Sequence, residues 1–233
     1  MTAELPFLTV VGLGFLLGAK HALDADHVVA ISTIATEQRS LWRSSAIGFC
    51  WGIGHTLVLL LAGLTVLSFK LTISGEWARL FEAAVGLMLV GLGVSVGLTL
   101  WRERVHVHAH AHADGAAHLH VHSHRDSPHH AHLHRYRLEY KSLAVGMVHG
   151  LAGSAALLLL VLSTARSVLD GVLYILAFGA GSIGAMVLLG IMMSLPFVFT
   201  PVHLVRTHLA LRALASLASV SLGGIILYES LVL

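Results

Sequence analysis

A short run of ionisable residues, at positions 20 to 27, interrupts an apolar stretch near the start of the chain. It reads Lys-His-Ala-Leu-Asp-Ala-Asp-His and is followed directly by Val28-Val-Ala-Ile31. At the depth of a bilayer, ionisable groups cost roughly 2.5 to 3.5 kcal/mol each, so chains keep them where they pair or bind a ligand. Imidazole together with carboxylate suits nickel, cobalt, zinc or iron, whereas magnesium and calcium favour oxygen ligands. The run therefore predicts a transition-metal site.

The spacing leaves the identity of the acidic ligand open. On a straight helix, at about 100° per residue, His21, Asp24 and His27 fall within an arc of about 120°. Asp26 points away from that arc, and it joins the two histidines only if the helix is broken. Broken helices are common at the midplane sites of transporters, where they also free backbone groups. The alternative is that these charges mark a loop between two short apolar pieces and bind no metal.

Two histidines elsewhere in apolar segments are further candidate ligands. His55 follows Gly52 and Gly54, and small residues allow helices to approach closely, so we expect His55 to face the first span. His149 corresponds to His21 in a similar local sequence and is the weaker candidate. For both, the alternative interpretation is a hydrogen-bonded packing residue.

The composition predicts that the elements holding these residues lie in a membrane. Of the 233 residues, 56% are hydrophobic and 11% are charged, and the mean hydropathy is +0.83. Soluble domains carry about 25% charged residues, so an ordinary water-soluble globule is excluded. The formal net charge of +2 indicates no nucleic-acid surface. The single Cys50 cannot form a disulfide framework or a cysteine-only metal site within one chain.

Five stretches are long and apolar enough to cross a bilayer, which needs about 20 residues. A sixth runs from Pro6 to Ala35 and contains the polar interruption. We therefore predict an all-α polytopic membrane protein with about six transmembrane helices. The five uninterrupted stretches are 44 to 68, 79 to 101, 143 to 164, 171 to 199 and 211 to 232.

The distribution of basic residues predicts the orientation. The loops after the first, third and fifth spans carry ten of the 14 Lys and Arg residues, and the other loops carry Lys70, Arg79 and Arg166. By the positive-inside rule, both termini face outward and the long loop after the third span is cytoplasmic. The ten are Arg39, Arg43, Arg102, Arg104, Arg125, Arg135, Arg137, Lys141, Arg206 and Arg212.

The two halves of the chain resemble each other weakly. The segment from Gly18 to Leu23 is similar to the segment from Gly146 to Leu151, and Gly52-Ile-Gly-His-Thr56 is similar to Gly179-Ala-Gly-Ser-Ile183. Three helices per half would orient the repeats oppositely, as in many transporters. Chance similarity between glycine-rich helices is the alternative. We expect one three-helix repeat with the metal signature at 1–101, a histidine-rich loop at 102–142 and a second three-helix repeat at 143–233.

The loop between the halves is rich in histidine. Twelve of the 18 histidines lie between Val105 and Arg135, many alternating with small residues. Such a segment has too little apolar mass to form a core, but its many imidazoles can collect divalent metal. A merely solvated linker is the alternative. The loop indicates metal handling and does not determine the direction of transport.

The segment from His21 to His27 resembles the nickel/cobalt transporter (NiCoT) family, whose signature is His, four residues, then Asp-His in a transmembrane helix. Gly54-His55-Thr56 is similar to the family's second element, Gly-His-Ser/Thr. The segment from His149 to Ala155 is similar to a shorter, UreH-like branch, the urease accessory protein type. The larger members have eight spans and an Arg before the signature histidine, whereas this chain has about six spans and Lys20.

The resemblance implies a site built from His21, Asp26 and His27 together with His55, and uptake of Ni2+ or Co2+ for metalloenzymes. It implies cytoplasmic metallochaperones for urease or hydrogenase as candidate partners. The chain contains no Gly-x-x-x-x-Gly-Lys-Ser/Thr motif for nucleotide hydrolysis. We therefore predict a secondary carrier of the bacterial inner membrane, not an enzyme, with the cation as substrate and no cofactor.

Two alternatives remain at this point. The first is an exporter of nickel or cobalt with the same architecture. The second is an intramembrane metalloenzyme that uses the same histidines and aspartates around a metal-bound water.

Overall fold

A computed structural model of the chain describes most of its length. The described residues are 7–36, 38, 40–69, 74–102, 106–111, 117–122, 137–152, 167–199 and 205–232. Within them are seven α-helices and one pair of short strands. The helices are α1 (Phe7–His21), α2 (Ala25–Ala35), α3 (Leu41–Phe69), α4 (Gly75–Arg102), α5 (Arg137–Ala152), α6 (Val168–Phe199) and α7 (Val205–Val232).

Four helices are long and apolar enough to cross a bilayer, namely α3, α4, α6 and α7. They confirm the prediction of an all-α, multi-pass membrane protein. The first predicted span consists of two helices, because α1 ends at His21 and α2 begins at Ala25. In the fourth predicted span, at residues 143 to 164, α5 ends at Ala152. Residues 153–166 lie outside the described part of the chain. The count of six spans stays a prediction.

The two strands lie in the histidine-rich loop. Strands β1 (His106–Ala111) and β2 (Ala117–His122) pair antiparallel, with His106 opposite His122. Backbone pairing of two short strands does not require the segment to form a hydrophobic core. Its strict alternation of histidine with small or apolar residues has the period of two that is typical of a strand.

Helix α3 lies at the centre of the packing. It contacts α5 and α6, α1 packs along α6, and α4 packs along α7. The broken first span also packs against the α4 and α7 pair through α2. The helices around α3 therefore enclose the polar break, and α4 and α7 flank them.

Glycines mark the closest helix contacts, and these contacts recur in the two halves. A Cβ atom at Gly18 would collide with the carbonyl of Phe178, and one at Gly146 would collide with the carbonyl of Trp51. Gly18 and Gly146 are matched in the two similar segments, and Phe178 and Trp51 each directly precede the second matched segment. The α1–α6 and α5–α3 contacts are thus built at corresponding positions.

A second pair of close contacts follows the same correspondence. A Cβ at Gly181 would collide with the carbonyl of Phe15, and one at Gly54 would collide with the carbonyl of Leu143. Gly181 and Gly54 are matched positions, while Phe15 and Leu143 each lie three residues before the matched glycines of α1 and α5. Small residues at such contacts let helix backbones approach, which is the usual way of packing helices in lipid.

Exposed aromatic residues lie near both ends of the helices. Trp42, Trp101 and Tyr140 are exposed where α3 begins, α4 ends and α5 begins, and Trp77 is exposed near the start of α4. Aromatic side chains concentrate at the two membrane–water interfaces. At 1.5 Å per residue, Trp77 and Trp101 are about 36 Å apart along α4, which fits a hydrocarbon core of about 30 Å with its borders.

Candidate metal centre

The polar run forms the break between α1 and α2. α1 and α2 have 15 and 11 residues, so about 22 Å and 16 Å of helix lie on either side of the break. In the turn, the backbone amide of Leu23 donates to the carbonyl of Lys20, and that of Asp24 donates to the carbonyl of His21. Asp24 is extended, with φ −61° and ψ 148°, and caps α2. The turn redirects the chain so that residues on both sides of it face the same interior space.

Three imidazoles meet at this space. His21 ends α1, His27 lies in the first turn of α2, and His55 comes from the middle of α3. All three are buried, and their ring centroids are 4.7 to 5.4 Å apart. One nitrogen from each ring lies within 4.8 Å of the other two. The centre is therefore assembled from three helices of the first half of the chain.

Each histidine of the broken span is held by a neighbouring carboxylate. His21 Nδ1 donates to Asp24 Oδ2 at 2.8 Å, and His27 Nδ1 donates to Asp26 Oδ1 at 3.1 Å. The backbone amide of His27 also donates to Asp26 Oδ1, at 2.9 Å. With ionised carboxylates as acceptors, the protons lie on Nδ1 and the lone pairs lie on the two Nε2 atoms.

The remaining nitrogens have no hydrogen-bond partner among the described residues. They are His21 Nε2, His27 Nε2 and both ring nitrogens of His55, and all are buried. A buried polar group without a partner costs about 1 to 3 kcal/mol, and such groups are rare in folded proteins. Several of them on neighbouring rings indicate a site for an electron-pair acceptor, such as a metal cation.

His149 joins the cluster from the second half of the chain. Its Nε2 donates to Asp26 Oδ2 at 2.7 Å, and its ring lies 4.1 Å from that of His27. Asp26, His27 and His149 form a second group whose ligand atoms lie within 4.8 Å of one another. His27 belongs to both groups and is the residue through which they are joined.

Helix packing at glycines brings these side chains into register. Gly150 faces the carbonyl of His55, so α5 approaches α3 at the level of the cluster. The Ser182 hydroxyl donates to the Gly18 carbonyl at 2.9 Å and fixes α6 against α1 just before His21. The rings of Trp51 and Phe178 lie 5.6 Å from His149 and 5.5 Å from His21. The polar cluster is thus bounded by large apolar rings.

The chain is similar to known nickel-transport proteins. Residues 7–228 match the NicO family, described as "High-affinity nickel-transport protein". The chain belongs to the NicO family. Membership in a family of transport proteins confirms the predicted kinship with nickel transporters, and it confirms a transporter rather than an enzyme.

Individual relatives of this NicO chain are similar to it over very different lengths. Urease accessory protein UreH of Bacillus sp. (strain TB-90) is 39% identical over 222 residues, which are 94% of this chain and 91% of the relative. The high-affinity nickel-transport protein NixA of Helicobacter pylori, from strains ATCC 700392 / 26695 and J99 / ATCC 700824, is 31% identical over 97 residues. That match covers 40% of this chain and 29% of NixA. No solved structure matches the chain.

The NicO structure brings all six predicted site residues together. His21, Asp24, Asp26 and His27 lie around the break, and His55 and His149 reach them from α3 and α5. The straight-helix arrangement does not occur, and both carboxylates contact histidines. Their assignment as metal ligands stays a prediction.

Sequence reasoning missed several neighbours of the cluster. Trp51 and Phe178 lie against the histidines, and Ser182 ties α6 to α1. The internal similarity contained a signal for Ser182, because it is matched with His55, and for the two rings, because each directly precedes the second matched segment.

Proposed function

We propose that this chain is a secondary transporter that carries Ni2+ or Co2+ across the bacterial inner membrane into the cell, with its cargo bound at His21, His27 and His55. The observation that carries the proposal is the cluster of buried imidazole nitrogens at the break between α1 and α2 that have no hydrogen-bond partner in the described part of the chain. Neutral imidazole is a strong ligand for nickel, cobalt and zinc, and is rarely chosen by magnesium or calcium.

The dimensions of the cluster support a bound cation. Two metal–nitrogen bonds of about 2.1 Å span at most about 4.2 Å, and the three nitrogens lie within 4.8 Å of one another. Small rotations of the side chains would therefore bring all three into bonding range. Three nitrogen ligands leave further positions for water, which suits a cation that must also be released.

The charges support a divalent cation. The imidazoles are neutral when they bind metal, so the double positive charge needs compensation in a medium where isolated charge is expensive. Asp24 and Asp26 each supply one negative charge, and each lies one imidazole away from the cluster. The loaded centre is then formally neutral, whereas a monovalent cation would leave one carboxylate uncompensated.

The recurring contacts support an inverted repeat with alternating access. Gly18 and Phe178 make the same close contact as Gly146 and Trp51, between matched positions of the two halves. In such architectures the site lies near the midplane, and rearrangement of the repeats exposes it to one side and then to the other. The proposed repeats are residues 1–101 and 143–233.

The basic residues support a cytoplasmic histidine-rich loop and outward-facing termini. In that orientation the loop meets the cation after it has crossed the membrane. The name of the Bacillus relative refers to urease. We propose delivery of the cation to cytoplasmic metallochaperones that serve urease or hydrogenase.

Accumulation of nickel in whole cells tests both the function and its direction. Cells that express the chain are expected to accumulate several-fold more nickel from a submicromolar supply than matched cells without the gene. Cells that express His21→Ala, at the same level in the membrane, are expected to match the cells without the gene. Lower nickel in expressing cells would instead establish export by the same architecture.

Removing the histidine-rich loop is expected to have only a partial effect. Deletion of residues 106 to 134 removes its twelve histidines and leaves the predicted spans and the six clustered residues in place. We expect nickel transport to fall by less than about tenfold, because the loop contributes none of the six clustered residues and only collects divalent metal beside the carrier. A replacement of the same length, rich in Gly and Ser, controls for the connection. Complete loss of transport with that replacement would make the loop an essential binding site.

A further inference from the structure

We propose that Asp24, Asp26 and His149 are positioning residues, which hold the imidazoles of His21 and His27 in place and do not bind the cation themselves. This inference rests on the proposed function, because it divides the proposed centre into ligands and supports. It assigns cation binding to the two histidines of the signature and a supporting role to the two carboxylates beside them.

The hydrogen bonds of Asp26 leave little room for a metal bond. Its Oδ1 accepts from the backbone amide and from Nδ1 of His27, and its Oδ2 accepts from Nε2 of His149. Both oxygens are therefore engaged, whereas Nε2 of His27 has no partner among the described residues. The carboxylate acts on the side of the ring away from the cluster. Carboxylates in this position orient a metal-binding histidine and raise its basicity.

Asp24 positions His21 in the same way, but its carboxylate is more exposed to solvent. It caps α2, but its side chain makes no capping hydrogen bond to that helix and accepts instead from His21 Nδ1. The Asp24 side chain is 54% exposed and that of Asp26 is 23% exposed. Because solvent competes for the exposed carboxylate, the contribution of Asp24 should be the smaller one.

His149 acts through Asp26. Its ring contacts His27, and its Nε2, which faces the broken span, is used by Asp26 Oδ2, while its buried Nδ1 has no partner among the described residues. The matched positions of the second half do not supply the residues for a corresponding metal site around His149. Ser182 occupies the position that matches His55, and continuing the match from His149 gives Ser154 and Ala155 in place of Asp26 and His27. His149 therefore anchors the first half's carboxylate to α5.

X-ray absorption of Co2+ or Ni2+ bound to the purified full-length chain tests the assignment. The imidazole count is expected to be three in the wild type, in Asp26→Asn and in His149→Ala, and two in the ligand control His55→Ala. The ligand-field bands of Co2+ should keep their positions in Asp26→Asn. A count of four that falls to three in His149→Ala, or bands that shift in Asp26→Asn, would overturn the assignment for that residue.

Affinities measured with the same variants test the coupling. Asp26→Asn should weaken Co2+ binding by about 10- to 100-fold, and Asp24→Asn by less than about tenfold. The double variant Asp26→Ala/His149→Ala should bind about as well as Asp26→Ala alone, because the second change removes a contact that the first has already broken. Additive losses would contradict action through Asp26. Failure of folded wild-type protein to bind either metal would instead overturn the proposed function itself.

Discussion

His27→Ala is expected to abolish nickel transport, with a loss of more than about 100-fold. His27 is the only described residue that belongs to both side-chain clusters, and its ring neighbours those of His21, His55 and His149. The variant loses one proposed ligand, and Asp26 loses its hydrogen bond to the His27 ring. Since changes to outer groups alone cost 10- to 100-fold in metal affinity, removal of a metal ligand should exceed that range. Uptake of radioactive nickel into proteoliposomes measures the effect.

A histidine outside the cluster supplies the control. His208 is also buried, but it lies on α7 and its ring neighbours Phe197. His208→Ala should retain nickel transport within about threefold. His27→Asn keeps a polar group in the buried space and guards against a folding defect, and it should be monodisperse in detergent yet inactive. Transport by folded His27→Asn at the wild-type rate would disprove the centre.

Gly18→Ala is expected to destabilise the fold, in contrast to Gly12→Ala in the same helix. A Cβ at Gly18 would collide with the backbone carbonyl of Phe178, and backbone cannot rotate away as a side chain can. Overpacking of this kind typically costs about 1 to 3 kcal/mol. Thermal unfolding in detergent, followed by circular dichroism, should show a lower midpoint and a smaller folded yield.

Gly12 is the matched control because no described residue of another helix lies within 4 Å of a Cβ placed there. Alanine is preferred to glycine inside a helix by roughly 0.5 to 1 kcal/mol, so Gly12→Ala should be neutral or slightly stabilising. Gly146→Ala should resemble Gly18→Ala, since it meets the carbonyl of Trp51 at the corresponding contact. Equal unfolding midpoints for the Gly12 and Gly18 variants would show that α1 and α6 are not packed this closely.

Apolar length and closeness in sequence were enough to predict a multi-pass membrane protein and the cluster of residues around positions 21 to 27. Apolar length alone marks α3, α4, α6 and α7 as spans. His21, Asp24, Asp26 and His27 lie within seven positions, so almost any backbone keeps them near one another. His55 was found because glycines beside it indicated close helix contact.

The roles within the site depend on geometry that the sequence does not carry directly. The break contains neither proline nor glycine, and the local signals for it are Asp24 at a capping position and Asp26 in the first turn of α2. On a straight helix Asp26 points away, whereas after the break it contacts His27 and His149. The sequence does not show that His149 pairs with Asp26, because the two residues lie 123 positions apart in the chain.

The proposed centre has one trio of ligands, His21, His27 and His55, and therefore holds one cation at a time in each chain. Two dications side by side would bring four positive charges against the two carboxylates, deep in a medium that does not solvate charge. The stoichiometry is then one cation per protein per cycle, and the initial rate should follow a simple hyperbola in nickel concentration. A sigmoidal dependence could not arise within one such molecule and would require communication between separate copies.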